Sequence, residues 1–287
     1  MRTLELKGYF SEIFSSFQGE GGTVRGSCFG KRQIFIRFSG CNLSEGDFDS
    51  TGCFWCDSAF SQKVEVKILK FEKIPGSLEL FHIENPLKVY KILEIIKRLI
   101  TKDLHSISFT GGEPLLQLDV LLNLANALNT QHVNYPLYLE TNGSIDPDEI
   151  QMEKLGQLFE YCCCDIKDRS ARAASLDKWR ELVGKELKFI ETLVELDVKT
   201  FAKLVVTSKT SIQDISWICE NLSKIAFKDG QIVGLAIQPV TLEDKMLNRE
   251  YSIPNSYLNE IFYTAAEFLP PKSLTLSIQA HKYLNLL

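Results

Sequence analysis

The sequence predicts an α/β fold organised as a full or partial (β/α) barrel, and three observations lead to this prediction. Short β-rich runs alternate with stretches of helical spacing along the 287 residues. The β-rich runs are almost continuously apolar, which is typical of parallel strands covered by helices. Polar or glycine-containing motifs follow four of these runs. Because the carboxyl ends of the strands form the active face of such barrels, this placement predicts one shared site.

Each predicted strand is a short run of mostly aliphatic, β-branched or aromatic residues. The first of them directly precedes Gly40-Cys41, and the last lies close to the end of the chain. The seven predicted strands are Ile34–Phe38, Ser106–Thr110, Leu137–Glu140, Tyr161–Ile166, Phe201–Val206, Ile232–Ile237 and Leu274–Ile278.

Helices are predicted where apolar residues recur at every third or fourth position. The first such stretch follows Pro86, which suits the first turn of a helix. Two charged stretches, near 59–85 and 168–200, interrupt the alternation, and we interpret them as rim insertions in a single domain spanning 1–287. The four predicted helices are Leu87–Ile100, Leu118–Leu128, Ile212–Leu222 and Tyr257–Phe268.

The composition restricts the class of protein. A hydrophobic content of 45% and a charged content of 24% are ordinary for a globular domain. The net charge of −5 argues against a broad nucleic-acid surface. The N-terminus has no apolar signal core and no run is long enough to span a membrane, so we expect a cytoplasmic protein. In a reducing compartment the eight cysteines are expected to bind metal or to be buried thiols rather than disulfides.

Three of these cysteines form a Cys-x11-Cys-x2-Cys motif: Cys41, Cys53 and Cys56. Three thiolates can hold three irons of a [4Fe–4S] cluster and leave the fourth iron open to a small molecule. A structural zinc site normally has a fourth Cys or His ligand nearby, and only Cys28 is close in sequence. A zinc site and unligated thiols remain the alternatives.

The polar motifs at the strand ends supply the remaining candidate residues. Glu113 follows two glycines. Its carboxylate could either bind a ligand or simply lie at the start of a helix. Cys162, Cys163 and Cys164 lie within one predicted strand, where alternation sends Cys163 to the opposite face. We therefore favour buried thiols over an auxiliary cluster there. The motifs are Thr110-Gly111-Gly112-Glu113, Glu140-Thr141-Asn142-Gly143, Asp165-Ile166-Lys167 and Gln238-Pro239.

Taken together, these motifs resemble the 7-carboxy-7-deazaguanine synthase family of the radical S-adenosylmethionine (SAM) superfamily. The most specific blocks are Gln18-Gly19-Glu20-Gly21 and the ending around His281-Lys282. The resemblance departs from the superfamily pattern in the cysteine spacing, since the first two cysteines are usually separated by three residues. It also departs at Ser58, where the family usually has threonine. The matching blocks are Glu12–Gly21, Phe35–Leu43, Cys53–Asp57, Phe109–Gln117, Leu139–Ser144 and Ser277–Asn285.

The resemblance implies a modified (β/α) barrel of the radical SAM type and a defined reaction. That reaction is the radical ring contraction of 6-carboxy-5,6,7,8-tetrahydropterin to 7-carboxy-7-deazaguanine with loss of ammonia, in queuosine or archaeosine biosynthesis. The implied cofactors are a [4Fe–4S] cluster, SAM and Mg²⁺. The implied partners are the small pterin substrate, a reductant such as flavodoxin or ferredoxin, and a second copy in a homodimer. No direct contact with nucleic acid or a membrane is implied.

The resemblance also implies which residues form the site. Glu113 matches the acceptor of the SAM ammonium group, and Arg37 matches the partner of the substrate carboxylate. The cluster ligands are Cys41, Cys53 and Cys56, and Ser58 is the Mg²⁺ ligand. The substrate positions are Phe17, Gln18, Gly19, Glu20, Arg37, Thr110, His281 and Leu287. The SAM positions are Trp55, Asp57, Gly111, Gly112, Glu113, Thr141, Asn142, Asp165, Ile166, Lys167 and Gln238.

Two other functions remain open from the sequence. One is another radical SAM enzyme, such as an activase that abstracts hydrogen from a glycine of a partner protein. The other is a non-catalytic iron–sulfur module. His281 could be an ordinary structural histidine, and the C-terminus could be frayed rather than part of the site. The lysine-rich stretch 63–73 is expected to be a solvated face, with docking of an electron donor as the alternative.

Overall fold

The computed structural model describes residues 2–242 and 244–284, which contain twelve β-strands and eight α-helices. The strands are β1 (Lys7–Gly8), β2 (Phe10–Phe17), β3 (Arg32–Phe38), β4 (Ile68–Glu72), β5 (Leu80–Glu84), β6 (Leu87–Lys88), β7 (Leu104–Gly111), β8 (Leu137–Thr141), β9 (Tyr161–Ile166), β10 (Lys199–Val206), β11 (Gly234–Pro239) and β12 (Leu274–Leu276). The helices are α1 (Val89–Leu99), α2 (Leu118–Thr130), α3 (Glu149–Leu158), α4 (Trp179–Glu195), α5 (Ile212–Leu222), α6 (Lys245–Tyr251), α7 (Asn255–Ala266) and α8 (Ala280–Leu284).

Ten of the strands form one sheet in the order β12-β11-β10-β9-β8-β7-β3-β2-β4-β5. Pairing is parallel from β3 through β7 to β12. β2 runs antiparallel to β3 and parallel to β4, and β5 pairs antiparallel with β4. β1 and β6 form a separate antiparallel pair. The predicted α/β class with parallel strands and intervening helices is confirmed.

All seven predicted strands and all four predicted helices are present, with ends shifted by a few residues. The sequence pattern missed β2, β4 and β5 of the large sheet, the short pair β1 and β6, and the helices α3, α4, α6 and α8. β2 contains Ser11, Ser15 and Ser16, which are polar yet buried, because hydrogen-bonded strands flank it on both sides. A buried strand with several small polar residues does not show the apolar run on which the predictions rely.

The two charged stretches have different structural roles. Residues 59–85 contain β4 and β5, which extend the sheet beyond β2 and bury Leu69 and the carboxylate of Glu72. The side chain of Glu72 accepts hydrogen bonds from the main-chain N–H groups of Ser15 at 2.8 Å and Leu78 at 2.9 Å. In the second stretch only residues 168–178 lie outside the regular alternation. α4 is the crossover helix between β9 and β10 and is not a rim insertion.

The segment after β2 crosses to the far end of the parallel strands. The main-chain N–H of Gly21 donates to Ser277 Oγ at 2.9 Å, and the N–H of Ala280 donates to the carbonyl of Gly19 at 3.0 Å. Gly21 has φ of +96°, and a Cβ there would lie 2.8 Å from the ring of Phe201, so only glycine fits. This segment therefore places Glu20 beside Lys203 of β10 and Gln238 of β11, while Gly22 and Thr23 pack against Thr275 of β12. Within the described part of the chain, no helix is both long and apolar enough to cross a membrane.

Candidate active site

The carboxyl ends of the parallel strands surround one cavity, as the strand-end motifs predict. β7, β8, β9, β10 and β11 each contribute residues from their carboxyl-terminal half. Most residues that the sequence singled out line this cavity: Phe17, Gln18, Gly19, Glu20, Arg37, Cys41, Cys53, Trp55, Cys56, Asp57, Ser58, Thr110, Gly111, Gly112, Thr141, Asn142, Asp165, Lys167, Gln238 and His281.

Three of the predicted site residues are not among those that line the cavity. Glu113 and Ile166 are fully buried in the protein and do not reach its surface. Leu287 lies outside the described residues. The cavity also includes residues that sequence reasoning missed: Phe14, Phe35, Leu43, Gln62, Glu140, Lys203, Val205, Val240, Thr241 and Gln279. Two of these carried a signal, because Glu140 precedes Thr141-Asn142-Gly143 at a strand end and Lys203 is a charged residue inside an apolar strand.

The three motif cysteines face the same cavity, and their spacing in the structure suits a cluster better than a single ion. Among residues 2–242 and 244–284, the only three His, Cys, Asp or Glu donor atoms within 4.8 Å of one another belong to Glu20, Asp57 and His281. The three sulfurs are therefore not all within 4.8 Å of one another. A tetrahedral zinc ion with Zn–S bonds of ~2.3 Å would hold its sulfurs ~3.8 Å apart.

The other described cysteines are not placed to complete a zinc site. Cys28 packs with Tyr138, Cys163 and Phe201 in a separate apolar cluster. Cys162 and Cys164 belong to the main core, so alternation along β9 separates Cys163 from its neighbours as predicted. Burial raises the pKa of each of these thiols, which keeps them protonated and unreactive.

The long loop between Cys41 and Cys53 packs against residues 168–178. The main-chain N–H of Phe54 donates to the carbonyl of Ala171 at 2.8 Å, and the N–H of Ser175 donates to the carbonyl of Phe48 at 2.9 Å. Lys178 forms an ion pair with Asp49 at 2.9 Å. The long loop between the first two cysteines is thus held in place by residues 168–178.

The glycine turn after β7 bonds directly to the segment that precedes Cys41. The N–H of Gly112 donates to the carbonyl of Phe38 at 3.0 Å, and the N–H of Glu113 donates to the carbonyl of Gly40 at 2.7 Å. A Cβ on Gly112 would lie 2.2 Å from the Gly40 carbonyl oxygen, so this approach requires glycine. The turn and the first cysteine are consequently fixed to each other.

The carboxylate of Glu113 is engaged by protein groups rather than turned to the cavity. It accepts from Thr141 Oγ1 at 2.7 Å, from the N–H of Asn142 at 2.7 Å and from the N–H of Leu115 at 2.9 Å. Burial raises the pKa of Glu113 to about 7 even though these hydrogen bonds favour the charged form. Its geometry is that of a residue that positions the end of β8 beside the glycine turn.

The first prediction concerns this carboxylate. Glu113→Gln puts an NH₂ group against a main-chain N–H donor, so we expect a loss of about 1–3 kcal/mol in the free energy of unfolding. Denaturant unfolding of the purified protein measures it. Glu149→Gln, at an exposed position in the first turn of α3, is the matched control. Equal stabilities of the two variants would contradict a positioning role for Glu113.

The amide of Asn142 links the end of β8 to the cluster loop. Its Nδ2 donates to Asn42 Oδ1 at 3.0 Å, and its Oδ1 accepts from the N–H of Ser144 at 2.9 Å. Asn42 directly follows Cys41, and its own Nδ2 donates to Asp47 Oδ2 at 3.0 Å within the same loop. The Asn142 side chain thus joins the cysteine loop to the strand-end motif.

A network of opposite charges forms one wall of the cavity. Lys203 Nζ contacts Glu20 Oε2 and lies 3.0 Å from Asp165 Oδ1, and Lys167 Nζ lies 2.8 Å from Asp165 Oδ2. Burial raises the pKa of Asp165, but the two lysines outweigh it and hold that pKa at about 2. Gln238 and Gln279 donate to Glu20 Oε1 at 3.2 and 3.1 Å. These contacts hold both carboxylates in place and keep Asp165 ionised.

Arg37, Asp57 and His281 also face the cavity. Arg37 Nε lies 3.6 Å from Glu12 Oε2, which is too long for a hydrogen bond, and Glu12 does not line the cavity. Burial raises the pKa of Asp57, but Arg37 and Lys203 outweigh it, so the pKa is lowered. A guanidinium that borders the cavity and has only this loose ion pair favours an anionic ligand at this position.

Ser58 lies between the cysteine loop and the glycine turn. Its Oγ is 3.3 Å from the carbonyl oxygen of Gly111, 3.3 Å from Asp57 Oδ1 and 3.8 Å from Cys56 Sγ. The side chain is buried but borders the cavity, so its oxygen is available to a bound ion.

The comparisons with known proteins agree with this geometry. Residues 18–169 match the family described as a 4Fe-4S single cluster domain. The chain is 37% identical to 7-carboxy-7-deazaguanine synthase from Thermococcus kodakarensis over 96% of this chain and 98% of that protein. It is 34% identical to the protein of that name from Methanocaldococcus jannaschii, over 96% and 99% of the two chains. It is also 34% identical to the protein of that name from Methanothermobacter thermautotrophicus, over 79% of this chain and 80% of that protein.

Proposed function

The chain belongs to the 7-carboxy-7-deazaguanine synthase family, and we propose that it contracts the ring of 6-carboxy-5,6,7,8-tetrahydropterin to 7-carboxy-7-deazaguanine with loss of ammonia. One observation carries the proposal. A single cavity joins the three-cysteine wall to a wall that carries Glu20, Lys203 and Arg37. A small, polar, anionic substrate can therefore lie directly beside a cofactor bound at the cysteines.

On the substrate side, Arg37 provides the positive charge for the carboxylate of the pterin. Its guanidinium borders the cavity, and the fork geometry suits a planar anion. Glu20 provides an acceptor for the N–H groups of the pyrimidinone ring. A carboxylate offers about four lone-pair sites, of which Gln238, Gln279 and Lys203 occupy three. Glu20 can therefore accept one further hydrogen bond at Oε2 without displacing a protein donor.

Gln18 and Thr110 shape the same region through Glu140. Gln18 Nε2 donates to Glu140 Oε1 at 2.8 Å, and Thr110 Oγ1 donates to Glu140 Oε2 at 3.2 Å. The Gln18 Oε1 atom accepts from the main-chain N–H of Glu20 at 3.1 Å. These bonds fix the loop that carries Glu20 before any ligand arrives, which lowers the entropic cost of binding.

On the cofactor side, the three cysteines and the glycine turn suit a [4Fe–4S] cluster and SAM. When bound, these groups supply the one-electron cleavage that produces a 5′-deoxyadenosyl radical. Gly111 and Gly112 line the cavity where the methionine part of SAM would bind, and Trp55, Asp165 and Lys167 line the adjoining wall. We assign Glu113 to positioning this turn rather than to direct contact with SAM, because its carboxylate is fully buried and does not border the cavity.

Ser58 is the proposed protein ligand for Mg²⁺, with substrate oxygens and water completing the shell. Mg²⁺ commonly uses few protein ligands and retains several waters. In Ser58→Ala, the Mg²⁺ concentration needed for half-maximal stimulation of turnover should rise at least about tenfold. Ser61→Ala is the matched control, because Ser61 is buried nearby and bonds Ser11 Oγ at 2.7 Å outside the cavity. The same Mg²⁺ response in both variants would remove Ser58 from the metal site.

The proposal extends to the setting of the enzyme. We infer a homodimer in the cytoplasm that receives electrons from a flavodoxin or ferredoxin, and a product that enters deazaguanine nucleoside synthesis. The exposed lysines of residues 63–73 support docking of an acidic electron donor. This stretch adjoins the cysteine loop, since the N–H of Cys41 donates to the carbonyl of Gln62 at 3.1 Å. The role of Leu287 in substrate binding stays a prediction.

Product analysis tests the proposed function directly. Reconstituted protein is incubated anaerobically with SAM, dithionite, Mg²⁺ and the carboxytetrahydropterin, and the mixture is separated by chromatography with mass detection. We expect 7-carboxy-7-deazaguanine and 5′-deoxyadenosine. The absence of the deazaguanine alongside continued formation of 5′-deoxyadenosine would point to another radical SAM reaction. The absence of both would point to a non-catalytic iron–sulfur module.

A further inference from the structure

Lys203 is a buried lysine at the centre of the cavity wall, and no motif in the sequence drew attention to it. It lies on β10 with only 8% of its surface exposed. Its side chain faces the cavity, whereas the flanking residues Ala202 and Leu204 pack in the protein interior. An ammonium group is rarely buried without a specific role or partner, because desolvation of the charge is costly.

The partners of this ammonium come from two different parts of the site. Glu20, on the loop after β2, contacts Lys203 Nζ through Oε2. Asp165, near the end of β9, lies 3.0 Å from the same nitrogen through Oδ1. Asp165 also pairs with Lys167, and both of these groups act on the pKa of the Cys53 thiol, so they lie on the cysteine side of the cavity. Glu20 lies close to Asp57 and His281, with one donor atom of each within 4.8 Å of the others.

We propose that Lys203 is a positioning residue that couples the substrate subsite to the SAM subsite by holding Glu20 and Asp165 on one ammonium group. This inference rests on the proposed function, in which Glu20 binds the pterin and Asp165 borders SAM. Without the lysine, two buried carboxylates would face each other and at least one would be forced to protonate or turn away. With it, both carboxylates contact one ammonium group and are fixed in direction.

The coupling follows from the shared nitrogen. A ligand that binds Glu20 restrains that carboxylate, and through it the ammonium group and Asp165. The second ligand then meets a site that is already ordered and loses less conformational entropy on binding. Thermodynamic linkage requires the effect to be reciprocal, so the substrate should tighten SAM by the same factor by which SAM tightens the substrate.

Binding measurements on cluster-containing protein test this without turnover. Reductant is left out, and the affinities for SAM and for the carboxytetrahydropterin are measured by anaerobic calorimetry, each alone and in the presence of the other. In the wild-type protein we expect each ligand to tighten the other about fivefold or more. In Lys203→Met we expect each affinity to fall at least about tenfold and the mutual effect to disappear.

Two further variants make the outcome specific. Lys199→Met removes a lysine from the same strand whose partner, Glu160 at 2.7 Å, lies at the surface, and it should match the wild type. Lys203→Arg keeps the charge and should retain the coupling. The proposal is overturned if SAM affinity in Lys203→Met equals that in Lys199→Met, or if Lys203→Arg loses the coupling as completely as Lys203→Met.

The same experiment separates this inference from the proposed function. Wild-type protein that binds SAM but not the carboxytetrahydropterin would refute the proposed substrate. The SAM affinities of the Lys203 variants would still decide whether the lysine orders Asp165. Wild-type protein that binds both ligands independently would refute the coupling and leave the proposed substrate intact.

Discussion

Replacing Cys41 with alanine is expected to abolish SAM cleavage and to remove most of the bound iron. Cys41 is one of three thiols around the cavity, and a cluster held by two thiolates would be left with two open irons. Reconstituted wild-type protein should hold about four irons and four sulfides per chain, as one such cluster requires. Iron and sulfide analysis and the yield of 5′-deoxyadenosine measure the change, and we expect the yield to fall below detection.

Cys164→Ala provides the matched control for this result. Cys164 is also buried, but it belongs to the apolar core behind β9 and does not border the cavity. Its removal should lower stability by about 1–2 kcal/mol, as for a small buried side chain, while iron content stays unchanged. A Cys41→Ala protein with full iron content and normal SAM cleavage would refute the cluster assignment.

The second large effect is expected at Arg37. Arg37→Ala should raise the concentration of carboxytetrahydropterin needed for half-maximal turnover by a few tens-fold to several thousandfold. Such a change corresponds to about 2–5 kcal/mol, the usual cost of removing one member of a buried charge pair. The reason is the Arg37 guanidinium, which borders the cavity and has only a loose ion pair with Glu12. SAM cleavage without substrate should continue, because the cysteines and the glycine turn are unchanged in this variant.

Two further variants test the chemistry of this contact. Arg37→Lys keeps the charge but loses the bidentate fork, so it should recover only part of the affinity. Arg98→Ala removes an exposed arginine from α1 and should leave the kinetics unchanged. If Arg37→Ala bound and turned over the pterin like the wild type, the substrate carboxylate would have to bind elsewhere.

The fold class and most of the parallel strands could be predicted because buried parallel strands are apolar throughout. β9 was predicted from Tyr161 to Ile166, and the structure has the same bounds. β2 could not be predicted in this way, since its serines are buried by pairing with β3 and β4 rather than by an apolar pattern of its own. The crossover helix α4 was not predicted, because its charged residues suggested an insertion. Its apolar face nevertheless packs on β9 and β10.

The sequence alone identified the residues that can bind a cluster and SAM. The spacing of Cys41, Cys53 and Cys56 and the glycines at the end of β7 are local signals. They can be recognised without knowing how the strands pack. Strand-end motifs also sufficed to predict that distant residues share one cavity, because parallel strands end at the same edge of a sheet.

Only the tertiary structure shows which partners the polar groups in and around that cavity have. The sequence predicts that Glu113 binds SAM, and the structure adds that its carboxylate accepts hydrogen bonds from Thr141, Asn142 and Leu115. Lys203 gave no motif, yet it bonds Glu20, which is 183 residues away along the chain. The physical reason is that the direction of a buried polar side chain depends on which donors and acceptors surround it. Those partners come from strands and loops that are brought together only when the sheet forms.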